Sequence, residues 1–176
     1  MIIDTAHRHY LPVKIRKLAN NAVIPASGSA QAAGYDLYSV CGRCVIPPHT
    51  TLKIPTGLAM SIPEGFFGAI FARSGIATKR GLRPANCVGV IDSDYRGEII
   101  VALHNDTDQI QEIENGERIA QIVFMPCIPV SFYEVDELDD TNRGGGGFGS
   151  TGTTTKGDQL PGQMSLFDDK TPTITV

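Results

Sequence analysis

The spacing of proline restricts the fold of this chain more than any other feature. Pro47, Pro48, Pro55 and Pro63 divide residues 45–63 into short apolar runs. Proline removes a backbone donor and breaks helix interiors, so it confines this segment to edge strands and turns. Elsewhere short β-prone runs alternate with turn residues, and no segment has sustained helical periodicity. We therefore predict an all-β fold, either a sandwich or a barrel.

The predicted strands share a pattern of apolar and β-branched residues bounded by turn formers. They occupy residues 11–18, 33–39, 65–71, 88–91, 99–103, 110–114, 119–125 and 130–135. The last of these is expected to close the core. Residues 19–32 are small and polar and are expected to form a loop, and a helical turn can follow the strand at 65–71.

The length and composition of the chain indicate one folded domain. With 176 residues, 41% of them hydrophobic, the chain can bury one core and not two. We predict a β core domain at residues 1–135, a mobile Gly-rich arm at 136–152 and a disordered polar tail at 153–176.

Charge and cysteine usage exclude several classes of function. The net charge of -4 does not favour nucleic acid, so a polyanionic substrate must be met by local cations or a metal. No apolar run approaches the roughly 18 residues of a membrane span, and residues 1–10 lack an apolar signal core. The expected location is the cytoplasm. Cys41 and Cys44 are spaced like half a zinc site, but no second Cys/His pair follows, so we expect reduced thiols.

Residues 89–98 place an unusual number of functional groups between two apolar runs. They read Gly-Val-Ile-Asp-Ser-Asp-Tyr-Arg-Gly-Glu, and the runs at 88–91 and 99–101 predict that they turn a β-hairpin. Reversing the chain needs only Gly with Asn or Asp. A solvated acidic turn is the alternative to a functional loop here.

Three further segments place polar groups within or beside predicted strands. Asp36 alternates with larger side chains, so it faces either solvent or a cation. Arg73, Ser74 and Gly75 follow a strand, where they form either a capped turn or an oxyanion pocket. Gln121 interrupts an apolar strand, so its amide is either satisfied in the core or held for a ligand or a water molecule.

Residues 143–152 read Arg-Gly-Gly-Gly-Gly-Phe-Gly-Ser-Thr-Gly. Glycine loses the most backbone freedom on ordering, so this segment needs a ligand to hold a fixed shape. It is either a flexible linker or a lid that offers its N–H groups to phosphate and its ring to a base. The segment lacks the Lys and the following helix of a Walker A loop.

Five segments together resemble the trimeric dUTP diphosphatases (dUTPases). They occur in the family's order at residues 33–39, 73–79, 89–98, 116–124 and 143–152. The resemblance covers roughly residues 11–152. Ala72 departs from the family, which usually has Pro there, and we expect the turn to be slightly looser without loss of a ligand group.

The resemblance implies a jelly-roll-like β fold and a homotrimer whose active sites are shared among three subunits. It implies Mg2+-dependent hydrolysis of dUTP to dUMP and diphosphate, which limits uracil incorporation into DNA and supplies dUMP for thymidylate synthesis. Asp92 would be the general base for the attacking water, and Tyr95 would pack under the deoxyribose. Asp36 would act near Mg2+ through coordinated water.

The other residues implied by the resemblance contact the substrate. Those that would read or border uracil are Asn86, Gly89, Val90, Ile91 and Ile100. Those that would hold the phosphates are Arg73, Ser74, Gly75 and Gln121. The arm that would close over the site contributes Arg143, Phe148, Gly149 and Ser150, with the Phe148 ring stacked on uracil.

The tail contains a second resemblance, and two other functions stay open. Residues 163–167, Gln-Met-Ser-Leu-Phe, are similar to the pentapeptide by which bacterial polymerases and repair proteins dock on the sliding clamp. Leu166 and Phe167 would fill a hydrophobic pocket and Gln163 a polar notch, and a chance match is the alternative. The competing functions are a dCTP deaminase on a related β fold and a non-catalytic regulator that binds a partner protein.

Overall fold

The computed structural model describes residues 10–146 of the chain. In this part the backbone forms one helix, α1 (Ser74–Arg80), and twelve strands. The strands are β1 (Lys14–Lys17), β2 (Ala26–Ser27), β3 (Tyr35–Tyr38), β4 (Arg43–Ile46), β5 (Thr51–Pro55), β6 (Leu58–Ser61), β7 (Phe66–Phe71), β8 (Leu82–Pro84), β9 (Gly89–Ile91), β10 (Ile100–Asn105), β11 (Gln111–Glu114) and β12 (Arg118–Pro126). The chain divides into two units, residues 1–131 and 132–176, and all of these elements lie in the first.

The strands of the described residues pair antiparallel in four sheets. The largest has the order β2-β3-β12-β7-β9, and a second has the order β5-β10-β8. Two smaller sheets pair β1 with β6 and β4 with β11. The prediction of an all-β fold is confirmed, and the proline-rich residues 45–63 do form short strands that lie at sheet edges.

One hydrophobic core is shared by these sheets. Each fully buried Leu or Ile contributes about 1.5–3 kcal/mol relative to an exposed one, so the largest side chains of the core dominate its stability. The fully buried aliphatic residues are Leu37, Ile46, Ile54, Leu58, Leu82, Ile99, Leu103, Ile113, Ile119 and Ile122. They come from eight of the twelve strands and from Ile99 beside β10, so packing in the core helps to fix the positions of the loops between strands.

The predicted hairpin at residues 89–98 is wrong. β9 pairs with β7, whereas β10 pairs with β5 and β8, so the two flanking strands belong to different sheets. Tight hairpins use loops of about two to five residues, and the eight residues between these strands are long enough to let them diverge. The segment crosses between two sheets, and we call residues 86–100 the arch.

The expectation that residues 130–135 close the core is also wrong. These residues form no strand, and Phe132 and Tyr133 are 93% and 85% exposed. Pro126 ends β12 and Pro129 follows it, and proline cannot donate to a continuing ladder. A smaller correction concerns residues 19–32, where the predicted loop contains the two-residue strand β2.

The predicted helical turn after β7 is confirmed as α1. The helix ends at Gly81, which adopts the left-handed conformation with φ 62°. A Cβ atom at Gly81 would lie 2.4 Å from Cγ2 of Thr107, so both the backbone conformation and the close packing require glycine here. No helix among residues 10–146 is long and apolar enough to cross a membrane.

Candidate active site

Three neighbouring strands bring Asp36, Gln121 and the end of β7 into one row. In the largest sheet Asp36 on β3 is the partner of Gln121 on β12, and Gln121 is in turn the partner of Phe71. Arg73 follows β7 by two residues and is the N-cap of α1. The predicted metal-site residue and two of the predicted phosphate-binding residues therefore lie together.

Two hydrogen bonds fix the position of Arg73: one is made by its own side chain, and the other is made to the carbonyl of the preceding residue, Ala72. Its Nε atom donates to Oδ1 of Asp36 at 2.7 Å, and the two side chains are 27% and 15% exposed. Nε2 of Gln121 donates to the carbonyl oxygen of Ala72 at 3.0 Å. A Cβ atom at Gly34 would lie 2.4 Å from Oε1 of Gln121, so glycine leaves the room that the amide occupies.

Arg118 belongs to the same group and was missed by sequence reasoning. Its Nη1 atom lies 3.3 Å from Oδ2 of Asp36. The register of β12 against β3 shifts between Arg118 and Ala120, and two residues in succession, Ile119 and Ala120, are buried there. The shift marks a β-bulge, an irregularity that re-aims side chains. We call Asp36, Arg73, Arg118 and Gln121 the Arg73 cluster.

Ser74 and Gly75 begin α1 immediately after Arg73. Both are exposed, and a Cβ atom at Gly75 would meet nothing within 4 Å. The carbonyl oxygen of Ser74 accepts a hydrogen bond from the Thr78 hydroxyl at 2.7 Å. The Ser74 hydroxyl itself has no hydrogen-bond partner among residues 10–146.

A cavity of about 150 Å³ lies where β9 and β10 diverge. It is lined by Ile70, Pro84, Val101 and Ala102 and by every residue predicted to read or border uracil, namely Asn86, Gly89, Val90, Ile91 and Ile100. The arch therefore gathers that predicted set in one place. The lining is mostly apolar with one amide side chain, a composition that is typical of sites for small molecules.

A second cavity of about 260 Å³ adjoins the first and contains Asp92 and Tyr95. The two cavities share Val90, Ile91 and Ile100. The Tyr95 hydroxyl donates to the carbonyl oxygen of Glu98 at 3.0 Å, which fixes the ring. The exposed Asp92 carboxylate has no hydrogen-bond or ion-pair partner within residues 10–146, so both of its oxygens can accept a proton or a hydrogen bond.

Within one chain, Asp92 and Arg73 lie toward opposite ends of β7. Ile91, the residue before Asp92, is the partner of Gly68, whereas Arg73 comes after Phe71. Gly68 and Phe71 are three residues, or about 10 Å, apart along the strand. Within one chain, therefore, the residues of the arch form one group and those of the Arg73 cluster form another, and the two groups lie apart.

The remaining predicted site residues belong to the second unit or fall outside the description. Arg143 is exposed, and its Nε atom donates to the carbonyl oxygen of Gly146 at 2.8 Å. Phe148, Gly149 and Ser150 lie outside the described residues, as do the clamp-like residues 163–167.

The described residues offer few ligands for a metal ion. No group of three or more His, Cys, Asp or Glu side chains gathers among residues 10–146. Each oxygen of Asp36 already accepts from an arginine, although a carboxylate has about four acceptor positions. This donor set suits a Mg2+ ion that keeps most of its water and takes its other ligands from substrate phosphates. It does not suit an ion held by protein ligands alone.

Comparison with known proteins identifies the family of this chain. Residues 20–152 match the model of the dUTPase family. A deoxyuridine 5'-triphosphate nucleotidohydrolase of Desulfitobacterium hafniense is 51% identical over 133 residues, which are 74% of this chain and 88% of that protein. The dUTPase of Staphylococcus bacteriophage 80alpha with dUPNHPP has a TM-score of 0.74 at 31% identity and covers 80% of this chain and 98% of its own. A variant dUTPase of phage phi11, with a TM-score of 0.68 at 26% identity over 73% of this chain and 99% of its own, coordinates a structural Mg(II) ion.

Proposed function

The chain belongs to the dUTPase family, with that family's all-β, jelly-roll-like fold, and from this premise we propose that it hydrolyses dUTP to dUMP and diphosphate. The observation that carries the proposal is the unpartnered Asp92 carboxylate, which lines a cavity adjoining the one that gathers the predicted uracil contacts. A general base beside a nucleoside site is what hydrolysis at the first phosphorus of a nucleotide requires.

Asp92 acts on water in this proposal. The carboxylate accepts a proton as the water oxygen attacks the α-phosphorus. The new P–O bond forms as the bond from the α-phosphorus to the bridging oxygen breaks. Diphosphate leaves with that oxygen, and the proton passes from Asp92 to solvent. General base assistance contributes about two to four decades in rate.

The arch provides selectivity for the base and the sugar. Backbone groups of Gly89, Val90 and Ile91, with the Asn86 amide, present hydrogen-bonding partners for the uracil edge, and Ile100 closes the apolar side. The Tyr95 ring, held by its bond to Glu98, packs under the deoxyribose. A ring in that position leaves no room for a 2'-hydroxyl, so dUTP is favoured over UTP.

Arg73 binds the phosphates together with Ser74 and Gly75. Phosphoryl transfer depends mostly on positioning and charge compensation, and a guanidinium offers several fixed donors to phosphate. Gln121 contributes at the same place, where it already fixes Ala72. When bound, Mg2+ supplies further charge neutralisation at the phosphates, and Asp36 is the described carboxylate that would reach it through coordinated water.

We also propose that the active protein is a homotrimer whose sites combine residues of different chains. The separation of Asp92 from Arg73 along β7 supports this, because a single chain holds the two halves of the chemistry apart. The arm would complete the site: Arg143 would stabilise charge in the transition state, Phe148 would stack on uracil, and the backbone of Gly149 and Ser150 would face the phosphates.

The test is diphosphate release from dUTP compared with UTP, dCTP and dTTP in the presence of Mg2+. The proposal predicts rapid release from dUTP and at least about tenfold less from each competitor, the size of discrimination that a shaped pocket provides. Conversion of dCTP to dUTP would instead identify a deaminase. Binding of dUTP without any hydrolysis would identify a non-catalytic regulator.

Docking of residues 163–167 on a bacterial sliding clamp remains a separate proposal, supported by the pentapeptide alone. Binding of the full chain to purified clamp is predicted to be lost on Phe167→Ala, while hydrolysis of dUTP is unchanged. Absence of binding by the parent chain would disprove it.

A further inference from the structure

The arch is joined to the body of the fold at its two ends. At one end β9 pairs with β7, and at the other Glu98 and Ile99 contact the turn between β5 and β6. Among residues 10–146, the hydrogen bonds made by residues 92–97 have both partners within the arch. Hydrogen bonding to the rest of the chain therefore fixes the middle of the arch only through its ends.

Four hydrogen bonds join the second end of the arch to Thr56, Gly57 and Leu58, which we call the anchor turn. The Thr56 hydroxyl donates to the Ile99 carbonyl oxygen at 2.6 Å, and the Thr56 N–H donates to the same oxygen at 3.3 Å. The Ile99 N–H donates to the carbonyl oxygen of Leu58 at 2.8 Å. The Gly57 N–H donates to Oε1 of Glu98 at 2.8 Å. One short segment thus holds both backbone polar groups of Ile99 and one carboxylate oxygen of Glu98.

The anchor turn is itself fixed to the body of the fold. Thr56 is fully buried, and Gly57 adopts the left-handed conformation with φ 66°. A Cβ atom at Gly57 would lie 3.0 Å from the Cβ atoms of Ala19 and Ala22, so the backbone of the turn packs closely against them. The Gly57 carbonyl oxygen also accepts from the Leu18 N–H at 2.7 Å. The turn is therefore a firm support for the end of the arch.

The Tyr95 ring lies against the backbone beside Glu98. A Cβ atom at Gly97 would lie 2.4 Å from Oη, 2.6 Å from Cζ and 3.0 Å from Cε2 of Tyr95, so the ring occupies the space that a side chain at residue 97 would fill. The Tyr95 hydroxyl donates to the Glu98 carbonyl oxygen. Both contacts attach the ring to residues 97 and 98, so the position of this backbone sets the position of the ring.

The Glu98 side chain also lines the cavity that contains Asp92 and Tyr95. Glu98 is half-buried, and its bond to the Gly57 N–H gives the carboxylate a structural task at the wall of the cavity. An acid beside a triphosphate would instead act through its charge, by repelling phosphate. The structural task needs an acceptor oxygen, whereas the electrostatic one needs a net charge. Glu98→Gln keeps the first and removes the second.

We propose that Glu98 and Thr56 are positioning residues for the selection of deoxyribose over ribose. They hold the end of the arch on the anchor turn and thereby keep the Tyr95 ring where it excludes a 2'-hydroxyl. The inference rests on the proposed function, and it adds to the site two side chains that act through Tyr95 and need no contact with the substrate.

The size of a hydroxyl group explains why the ring needs this support. An apolar pocket discriminates against an added hydroxyl by about 100-fold, and displacing a group by about 1 Å changes rates by up to about the same factor. A ring whose supporting backbone is free to shift would therefore lose much of the selectivity that its position provides.

The experiment measures kcat/KM for diphosphate release from dUTP and from UTP in the presence of Mg2+, and their ratio is the sugar preference. Glu98→Leu removes the acceptor, and Glu98→Gln keeps it. Thr56→Val removes the hydroxyl donor, and Thr56→Ser keeps it. Glu98→Leu and Thr56→Val are expected to lower the sugar preference about tenfold, with a rise in kcat/KM for UTP, whereas Glu98→Gln and Thr56→Ser are expected to stay within about threefold of the parent.

The rise in kcat/KM for UTP separates positioning from a loss of stability, because damage to the fold lowers activity toward both nucleotides together. Thr51→Val is the matched control on β5, since it removes a hydroxyl that contacts His104 on an exposed surface, and its sugar preference should equal the parent's. Ile113→Val shortens a fully buried side chain on β11. It should lower the midpoint of thermal unfolding and leave the sugar preference unchanged.

An unchanged sugar preference in either Glu98→Leu or Thr56→Val would overturn the proposal. An equal loss in Glu98→Gln and Glu98→Leu would also overturn it, because the charge of Glu98 would then matter and its hydrogen bond would not. Should Thr56→Val fail to fold, the two substitutions at the half-buried Glu98 decide the question. A parent chain that releases no diphosphate from dUTP would overturn the proposed function and this inference with it, whereas the other outcomes leave that function intact.

Discussion

The arch and the Arg73 cluster are organised in opposite ways. In the Arg73 cluster each described functional side chain already has a protein partner: Asp36 has two arginines, and Gln121 has the Ala72 carbonyl. In the arch the Asp92 carboxylate has none among residues 10–146. The difference fits the proposed tasks, because a phosphate-binding group works best when its direction is set in advance. A general base needs an unoccupied oxygen that can take a proton.

The largest predicted effect is that of Asp92→Asn, which removes the unpartnered carboxylate that we propose as the general base. Turnover of dUTP should fall by about two to four decades, while affinity for a non-hydrolysable analogue stays within about threefold of the parent's. Steady-state diphosphate release and calorimetry measure the two quantities. Asp94→Asn is the matched control, since Asp94 is exposed two residues away and does not line the cavity. Equal losses from the two substitutions would contradict a special role for Asp92.

Truncation after Asp140 tests whether the arch and the Arg73 cluster suffice without the arm. The truncated chain keeps all of the described strands and α1, so its thermal unfolding should remain cooperative. We expect turnover to fall by more than about 100-fold, because a well-placed donor to transition-state charge contributes about 3 kcal/mol or more. A truncated chain with the turnover of the parent would show that residues 141–176 supply nothing to the chemistry.

Gly34→Ala disturbs the Arg73 cluster without changing a charged group. The new Cβ would lie 2.4 Å from Oε1 of Gln121, so the amide must move and its bond to Ala72 is lost, at a cost of about 1 kcal/mol in stability. We expect kcat/KM for dUTP to fall about tenfold as the turn before Arg73 loosens. Gly28→Ala is the control, because a Cβ there meets nothing within 4 Å, and equal kinetics for the two variants would refute this account of Gln121.

Tyr95→Phe is predicted to have the smallest effect. It removes one hydrogen bond, from the exposed Tyr95 to the Glu98 carbonyl, and keeps the ring. The free energy of unfolding should fall by about 0.5–1.5 kcal/mol, and the preference for dUTP over UTP should persist. Competition assays with the two nucleotides measure that preference. Its loss in Tyr95→Phe would show that the hydroxyl, and not the ring, excludes ribose.

Sequence reasoning predicted the strands that carry the candidate site residues better than it predicted the pairing of those strands. Local patterns predicted the strands that carry Asp36 and Gln121, because alternation and turn residues are local properties. The prediction of a hairpin at residues 89–98 was wrong because the pairing of one strand depends on all the strands of the fold. Two adjacent β-prone runs say nothing about whether they pair with each other.

Arg118 shows a second limit of reading the sequence alone. Its place beside Asp36 depends on one extra residue in β12, which changes the face of the sheet that the side chain occupies. Only the pairing of β12 with β3 identifies that extra residue. The prediction for residues 130–135 was wrong for a different reason. It took their apolar character as a sign of burial within their own chain, and the structure leaves Phe132 and Tyr133 exposed.

The central claim, that one chain's Asp92 works with another chain's Arg73, is tested most directly by mixing two inactive variants. Asp92→Asn and Arg73→Gln chains are unfolded together, refolded as mixed oligomers verified by mass, and assayed for diphosphate release from dUTP. If the two halves come from different chains, random mixing gives about a quarter of the sites both intact halves, and activity returns to about that fraction of the parent's. Activity in the verified mixture no greater than that of the two variants refolded separately would contradict the claim.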